Sequence, residues 1–236
     1  MKKLKNILIG LVAIISLTSG AYAGSFGIGV TGSYKTIDAS GTETTEGTDT
    51  SDTSTRTASV DNNAFTGSAY IEYSLDDASW AAAGNGITIG AEYTPGSADV
   101  SDKIFSRTDT AVGAGTAGST SGAVTYTAQA EVEKYRNYYI ELPLYSAIYV
   151  KAGYSQIDVN TLEASTKTTT GSYGNDTLNG TNLGVGLKGV TANNIVWKLL
   201  YQQTNFDELS LTSSTSNVIK ADLDTKDIAL SIGYRF

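Results

Sequence analysis

The chain ends on a segment, Ile228-Ala229-Leu230-Ser231-Ile232-Gly233-Tyr234-Arg235-Phe236, in which every second residue is apolar or aromatic. Side chains of an extended strand alternate between two faces, so Ile228, Leu230, Ile232, Tyr234 and Phe236 share one face. The same period of two recurs upstream, each time with its apolar set in one register. Strand one runs from about Ser25 to Ile37, with Phe26, Ile28, Val30 and Tyr34 on that face, and strand two from Ala64 to Leu75, with Phe65, Ala69, Ile71 and Tyr73. Strand three, Ile87 to Thr94, presents Ile87, Ile89, Ala91 and Tyr93; strand four ends in Tyr138, Ile140 and Leu142; strand five begins Ile148, Val150, Ala152, Tyr154. Strand six offers Leu183, Val185 and Leu187, and strand seven Ile195, Trp197, Leu199 and Tyr201. With the terminal segment the count is eight, and the fold class this predicts is an all-β antiparallel meander.

The connections alternate in length. Leu142 to Ala147 and Val190 to Asn194 are short turns and Asp76 to Gly86 is somewhat longer, whereas Ser40 to Asn62, Pro95 to Gly122, Asn160 to Gly180 and Asp207 to Ala221 are long and rich in Thr, Ser and Gly. Segments of that composition bury little apolar area, so they are expected to be mobile loops. Pro95 and Pro143 stand at strand borders, where no ladder donor need be lost.

The opposite end of the chain has the three parts of a cleavable export signal: Lys2, Lys3 and Lys5, an apolar run from Ile7 to Leu17, and the small-residue site Ala21-Tyr22-Ala23. The run falls short of the roughly 20 residues a membrane-spanning helix needs, so cleavage after Ala23 and a mature chain starting at Gly24 are predicted. There is no cysteine, which excludes a lipid-modified N-terminus and any disulfide.

A terminal phenylalanine, an aromatic two residues before it and apolar residues at alternate upstream positions resemble the C-terminal signal by which outer-membrane barrels are recognised for insertion. Together with the export signal and the eight segments, the chain resembles the small outer-membrane barrel superfamily that includes the OmpA membrane domain, OmpX, OmpW and the opacity proteins. Residue-level likeness is confined to the strand ending in Tyr234 and Phe236. The resemblance implies a closed eight-stranded transmembrane barrel over residues 24–236, in the cell outer membrane of a Gram-negative envelope. Short turns then face the periplasm and the four long connections, about 40–62, 95–122, 160–180 and 207–221, face outward. It implies contact with outer-membrane lipid and lipopolysaccharide and with the barrel-assembly machinery. No periplasmic peptidoglycan-binding domain follows Phe236 in this sequence.

In that frame the aromatic residues fall into two girdles. Phe26, Tyr73, Trp197, Tyr234 and Phe236 mark the inner edge and Tyr34, Phe65, Tyr93 and Tyr154 the outer one. Eight steps from Phe26 to Tyr34, at about 3.3 Å each and a tilt near 40°, climb roughly 20 Å, close to the ~25 Å apolar band of such barrels. Two places fit less simply. Lys134 and Arg136 share the register of Tyr138 and Ile140; they belong at the outer interface, unless a bulge flips the register there. Ala98 to Phe105 and Val124 to Val132 extend strands three and four as a hairpin above the membrane, or add a pair to make ten strands.

The other face of each strand points to the axis, and it carries charges of both signs: Glu72, Glu92, Glu141, Lys151, Lys188, Lys198 and Arg235, with Tyr70, Tyr139, Tyr149 and Gln202 among them. An eight-strand barrel is just wide enough for side chains to fill it, so these ions must pair. A solid polar core and a charged conduit for ions or small solutes both satisfy that pattern.

Other motifs yield no chemistry. Gly113-Ala114-Gly115-Thr116-Ala117-Gly118 matches the dinucleotide-binding fingerprint by letter but sits in an outward loop with no helix to follow. Asp49 and Asp52, or Asp222 and Asp224, lack the ligand spacing and turn glycine of a calcium loop, so no metal and no cofactor are predicted. The chain has no histidine, the usual base for a serine nucleophile and a residue on which the barrel proteases, phospholipases and lipid A modifying enzymes of the resembled superfamily rely. A non-enzyme is therefore expected.

The formal charge is −8, and the outward connections carry much of the acid in Glu43, Glu46, Asp49, Asp52, Asp61, Asp207, Glu208, Asp222 and Asp224; Arg56, Lys103, Arg107, Lys167 and Lys220 offset part of it. Nucleic-acid binding, which needs clustered cations, is disfavoured. Two roles remain: a structural or surface-interaction barrel, opacity-protein-like, whose acidic loops meet an unidentified surface ligand, or a narrow porin-like channel. A barrel with no free edge can stand as a monomer.

Overall fold

The computed structural model describes residues 24–45, 54–75, 85–102, 104–110, 123–165, 172–214 and 216–236. The export segment 1–23 with its cleavage point, the glycine run 113–118, and Glu46, Asp49, Asp52, Lys103 and Lys167 lie outside the described residues. Among the described residues all regular structure is strand: β1 (Ser25–Thr45), β2 (Ser54–Ser74), β3 (Thr88–Asp99), β4 (Phe105–Thr110), β5 (Ala123–Tyr145), β6 (Ile148–Ser165), β7 (Asp176–Val190), β8 (Ile195–Phe206), β9 (Leu209–Thr212) and β10 (Val218–Arg235).

Antiparallel ladders run β1-β2-β3-β5-β6-β7-β8-β10, and β10 closes on β1 from Gly27↔Arg235 to Thr44↔Val218. The ten segments make a ring of eight strands, because β4 follows β3 along β5 and β9 follows β8 along β10. The stretch around Ala98–Phe105 is therefore a hairpin extension, and the ten-strand alternative is excluded.

The outward connections differ from the sequence boundaries. The β1–β2 ladder continues to Thr45↔Ser54, so most of 40–62 is strand. The end of β3 and all of β4 lie within 95–122, the ends of β6 and β7 within 160–180, and β9 with the start of β10 within 207–221. Composition misled here because it averages over two faces. Threonine is β-branched and suits the outer, solvated face of a ladder, while inward positions of the same stretches include the apolar Val60, Ala98, Leu178, Leu209, Leu211 and Ala221.

Those inward residues form one cluster, with Ile37, Val132, Ile157, Leu178, Phe206 and Leu223 among its buried members. The molecule thus changes polarity along its axis. In the lower tier the exterior is apolar, with Leu230 63% and Leu183 67% exposed, and the interior is charged. Above the level of Tyr34 and Phe65 the interior is apolar and the exterior polar, with a Lys226–Asp38 ion pair at 3.2 Å on its surface.

The register flip in β5 lies at this boundary. Lys134 has φ 52°, and the ladder shifts between Glu133 and Arg136, so Tyr135, Asn137 and Tyr139 face inward below the bulge and Val132 above it. Arg136 stays outward beside its ladder partner Tyr93 of the outer girdle, and both basic groups reach Asp158, at 3.3 Å for Arg136 and 3.7 Å for Lys134. The bulge is present, and it sets both basic groups at the level of Tyr93.

Candidate functional site

The interior of the lower tier holds the densest chemistry. It is built from strands that place one side chain in two on the axis: Glu72 from β2, Glu141 from β5, Lys188 from β7 and Lys198 from β8, all buried. Lys198 bridges the two carboxylates, donating to Glu72 and, at 2.7 Å, to Glu141 Oε1. Lys188 donates to Glu141 Oε2 at 3.0 Å and to Thr88 Oγ1 at 2.8 Å, with Glu72 at 3.9 Å. Two lysines shared by two glutamates neutralise one another, which offsets part of the cost of taking the ions out of water.

A second tier lies above. Lys151 pairs with Glu92 at 3.2 Å, and Ser68 also donates to Glu92. Lys35 meets Asp227, its ladder neighbour on β10, at 3.3 Å. Tyr rings fill the space between the tiers: Lys151 lies 4.1 Å from the centroid of Tyr139, and Lys198 lies 5.0 Å from that of Tyr70, cation–π contacts that favour the charged lysines. The rings have room because their ladder partners lack side chains. A Cβ at Gly29 would strike Tyr70, one at Gly90 would strike Tyr139, and one at Gly186 would strike Tyr149.

Both ends of this core are covered. At the base Asn85 donates to the carbonyls of Lys188 at 3.1 Å and Ser146 at 3.3 Å, and Arg235 donates to Ser74 at 3.1 Å. Upward, Asn182 donates to Asn137 and to Ser155 at 2.9 Å each, beneath the apolar cluster. The void along the axis, lined by Tyr70, Tyr149 and Gln202 among others, measures about 20 Å³, space for about one water. Among the described residues no cluster of His, Cys, Asp and Glu has metal-binding geometry.

Glu72, Glu141, Lys151, Lys188, Lys198 and Arg235 face the axis and are buried, and Glu92 joins them half-buried. Ile228, Leu230, Ile232, Tyr234 and Phe236 lie on the exterior of β10 and its terminus, each exposed, with Tyr234 and Phe236 edge to face at 5.1 Å. Of the girdle residues, Phe26, Tyr34, Phe65, Tyr93 and Trp197 are exposed and Tyr73 and Tyr154 partly covered; Tyr34 and Phe65 pack at 5.0 Å. Sequence reasoning singled out neither Lys35 and Asp227 nor Asn137, Asn182 and Asn85. The first four have inward parity with residues that were singled out, so the signal was present; Asn85 lies in a connection and carried none.

A closed antiparallel ring of eight strands, apolar outside and charged within, is the architecture of small outer-membrane β-barrels. No family model matches the sequence, and no curated protein does. Solved structures similar in fold include the outer membrane protease OmpT from Escherichia coli (10% identity, 93% of this chain and 99% of that one, TM-score 0.47). The outer membrane protein OprG from Pseudomonas aeruginosa aligns at 14% identity over 92% and 98%, TM-score 0.40. Ail, the attachment invasion locus protein of Yersinia pestis, solved with the heparin analogue sucrose octasulfate, aligns at 12% identity over 87% and 99%, TM-score 0.37.

Proposed function

We propose that this chain is a non-enzymatic barrel of the outer membrane, exported with cleavage after Ala23, that serves as a sealed platform presenting a ladder-built dome to lipopolysaccharide or to a surface ligand. The observation that carries this is the plugged lumen. Two lysines and two glutamates cross-link four strands, Asn85 covers the base, and the apolar cluster covers the top. A conduit needs a continuous wet path, and the small size of the axial void, about 20 Å³, favours the sealed reading. A monomer satisfies the ladder, since the ring closes on itself.

Planar-bilayer recording of the refolded mature chain tests this against the channel reading. The expected result is silence across voltage and salt. Steady openings whose size or ion selectivity changes when Lys198 or Glu92 is neutralised would overturn it in favour of a narrow channel lined by Lys151, Lys188, Lys198, Arg235, Glu72 and Glu92.

A further inference from the structure

The wall of the barrel is not laddered equally all the way round. Strand β2 pairs with β1 over its whole length but with β3 only from Ser74↔Thr88 to Ala69↔Tyr93. Above that point no ladder pair joins β2 and β3 among the described residues, although β3 goes on pairing with β5 to Asp99↔Glu131. Just above it Ser68 donates to Glu92, and higher up Asn62 donates its amide to the carbonyl of Asp99 at 2.8 Å. Between these two side-chain ties β2 contributes residues 63–67, five residues or roughly 17 Å of wall at about 3.3 Å per residue.

The cause is written in β3. Pro95 has no amide hydrogen to donate, and Gly96 takes φ 86°, a conformation glycine adopts without a Cβ penalty. The register shifts between Thr94 and Ser97, so the strand swings off β2 while keeping β5. Behind the opening lies a cavity of about 40 Å³, twice the void on the polar axis. Thr66 of β2 and Pro95 and Gly96 of β3 line it on the side of the missing ladder, its mouth; Ile37, Val132, Ile157 and Leu223 of the apolar cluster line it too, as do the charged Lys35, Glu133 and Lys134.

Height decides the occupant. The mouth lies one residue from Phe65 on β2 and two from Tyr93 on β3, both exposed members of the outer girdle; Phe65, at 86%, stands fully in the surroundings. At that depth in a bilayer the abundant apolar partner is the upper part of a lipid chain. A protein strand fits less well, because Pro95 and Gly96 remove the regular edge on which strand addition depends.

We propose that this notch holds the upper methylenes of an acyl chain from an outer-leaflet lipid, which completes the wall where its ladder is missing. The inference rests on the membrane location proposed above. Asn62 acts as the upper limit of the notch and the Ala69↔Tyr93 pair as its floor.

Intermolecular nuclear Overhauser effects test it, between the chain protons of dimyristoyl phosphatidylcholine in a nanodisc and the methyl groups of the deuterated, methyl-labelled mature protein. Three sets of methyls separate the outcomes. Leu183 and Leu230 on the exterior should show lipid contacts if the barrel spans the bilayer; their silence would sink the membrane location itself. Val196 and Leu200, buried in the polar tier, should show none. Ile37, Val132, Ile157 and Leu223 should show contacts, lost in A98W, which fills the notch from β3, and strengthened in N62A, which releases the upper tie. Contacts at Leu183 and Leu230 with silence at the notch methyls, in both the native protein and N62A, would overturn the proposal and leave the location standing.

Discussion

The lower and upper halves of this molecule share one set of strands and one ladder, yet they are inside out with respect to each other. Below Tyr34 and Phe65, exposed Leu230, Ile232 and Val185 surround a core of Glu72, Glu141, Lys188 and Lys198. Above, Ile37, Ile157, Leu178 and Leu223 are the core and ions such as Lys226 and Asp38 the surface. An antiparallel strand obliges side chains to alternate but does not say which face is apolar. The surroundings decide that: at the proposed membrane location hydrocarbon would leave no hydrophobic gain for burying Leu230, whereas water above would drive Leu223 inward.

The contrast can be broken first at the ions. Lys198→Ala leaves Glu72 and Glu141 short of a shared cation, and removing one partner from a buried pair costs about 3 to 5 kcal/mol. Urea unfolding in lipid vesicles, or the temperature at which heat-modified migration appears on a gel, should reveal that loss; unchanged stability would mean that water reaches the site. Leu223→Ala comes next, at about 2 to 5 kcal/mol for a core cavity. Its effect should be confined to the dome, read as faster amide exchange at Val159 and Phe206 with the lower tier unmoved.

Leu230→Arg probes the exterior, where a basic residue near the midplane costs about 2 to 4 kcal/mol. The penalty should shrink in thinner bilayers, because the long side chain then reaches the interface. A solvated exterior would instead tolerate the change in every lipid.

The smallest effect concerns a contact at the top. Tyr173 donates its hydroxyl to Glu43 at 2.9 Å and its amide to Glu163 at 3.1 Å, drawing residues 172–175 over the apolar cluster. Partial burial holds the Glu163 carboxyl above its usual range; the Tyr173 amide opposes this and the nearby Glu43 charge adds to it. A folded pKa above the unfolded one means that the folded state binds the proton more tightly. Its contribution to stability is therefore present at low pH and is lost as pH rises through the folded value. Carboxyl-carbon NMR should show Glu163 titrating above an ordinary glutamate, with E43Q moving the midpoint down. The same midpoint in both proteins would remove Glu43 as a cause.

How much of this was legible follows from how far each feature reaches along the chain. Parity is local: once Tyr234 and Phe236 define an outward face, Arg235 is inward whatever the rest does, and the same step places Glu72 between Ile71 and Tyr73. Lys35 and Asp227 obey it too, but their pairing across β1 and β10 joins the two ends of the chain, which parity along one strand does not reveal. The upper tier is hidden in an average over Thr, Ser and Gly, because the positions between them, Ile157 and Val159 or Leu209 and Leu211, alternate like those below.

What the amino-acid order determined by itself was the period and the face each side chain takes along an unbroken ladder, since these depend only on neighbours along a strand. Tertiary structure alone decided where the ladders stop, that Lys134 bulges, that Asn85 covers the base and that β3 parts from β2 at Pro95. Each depends on a partner strand or loop distant in sequence, where competing hydrogen bonds and packing, rather than local preference, set the outcome.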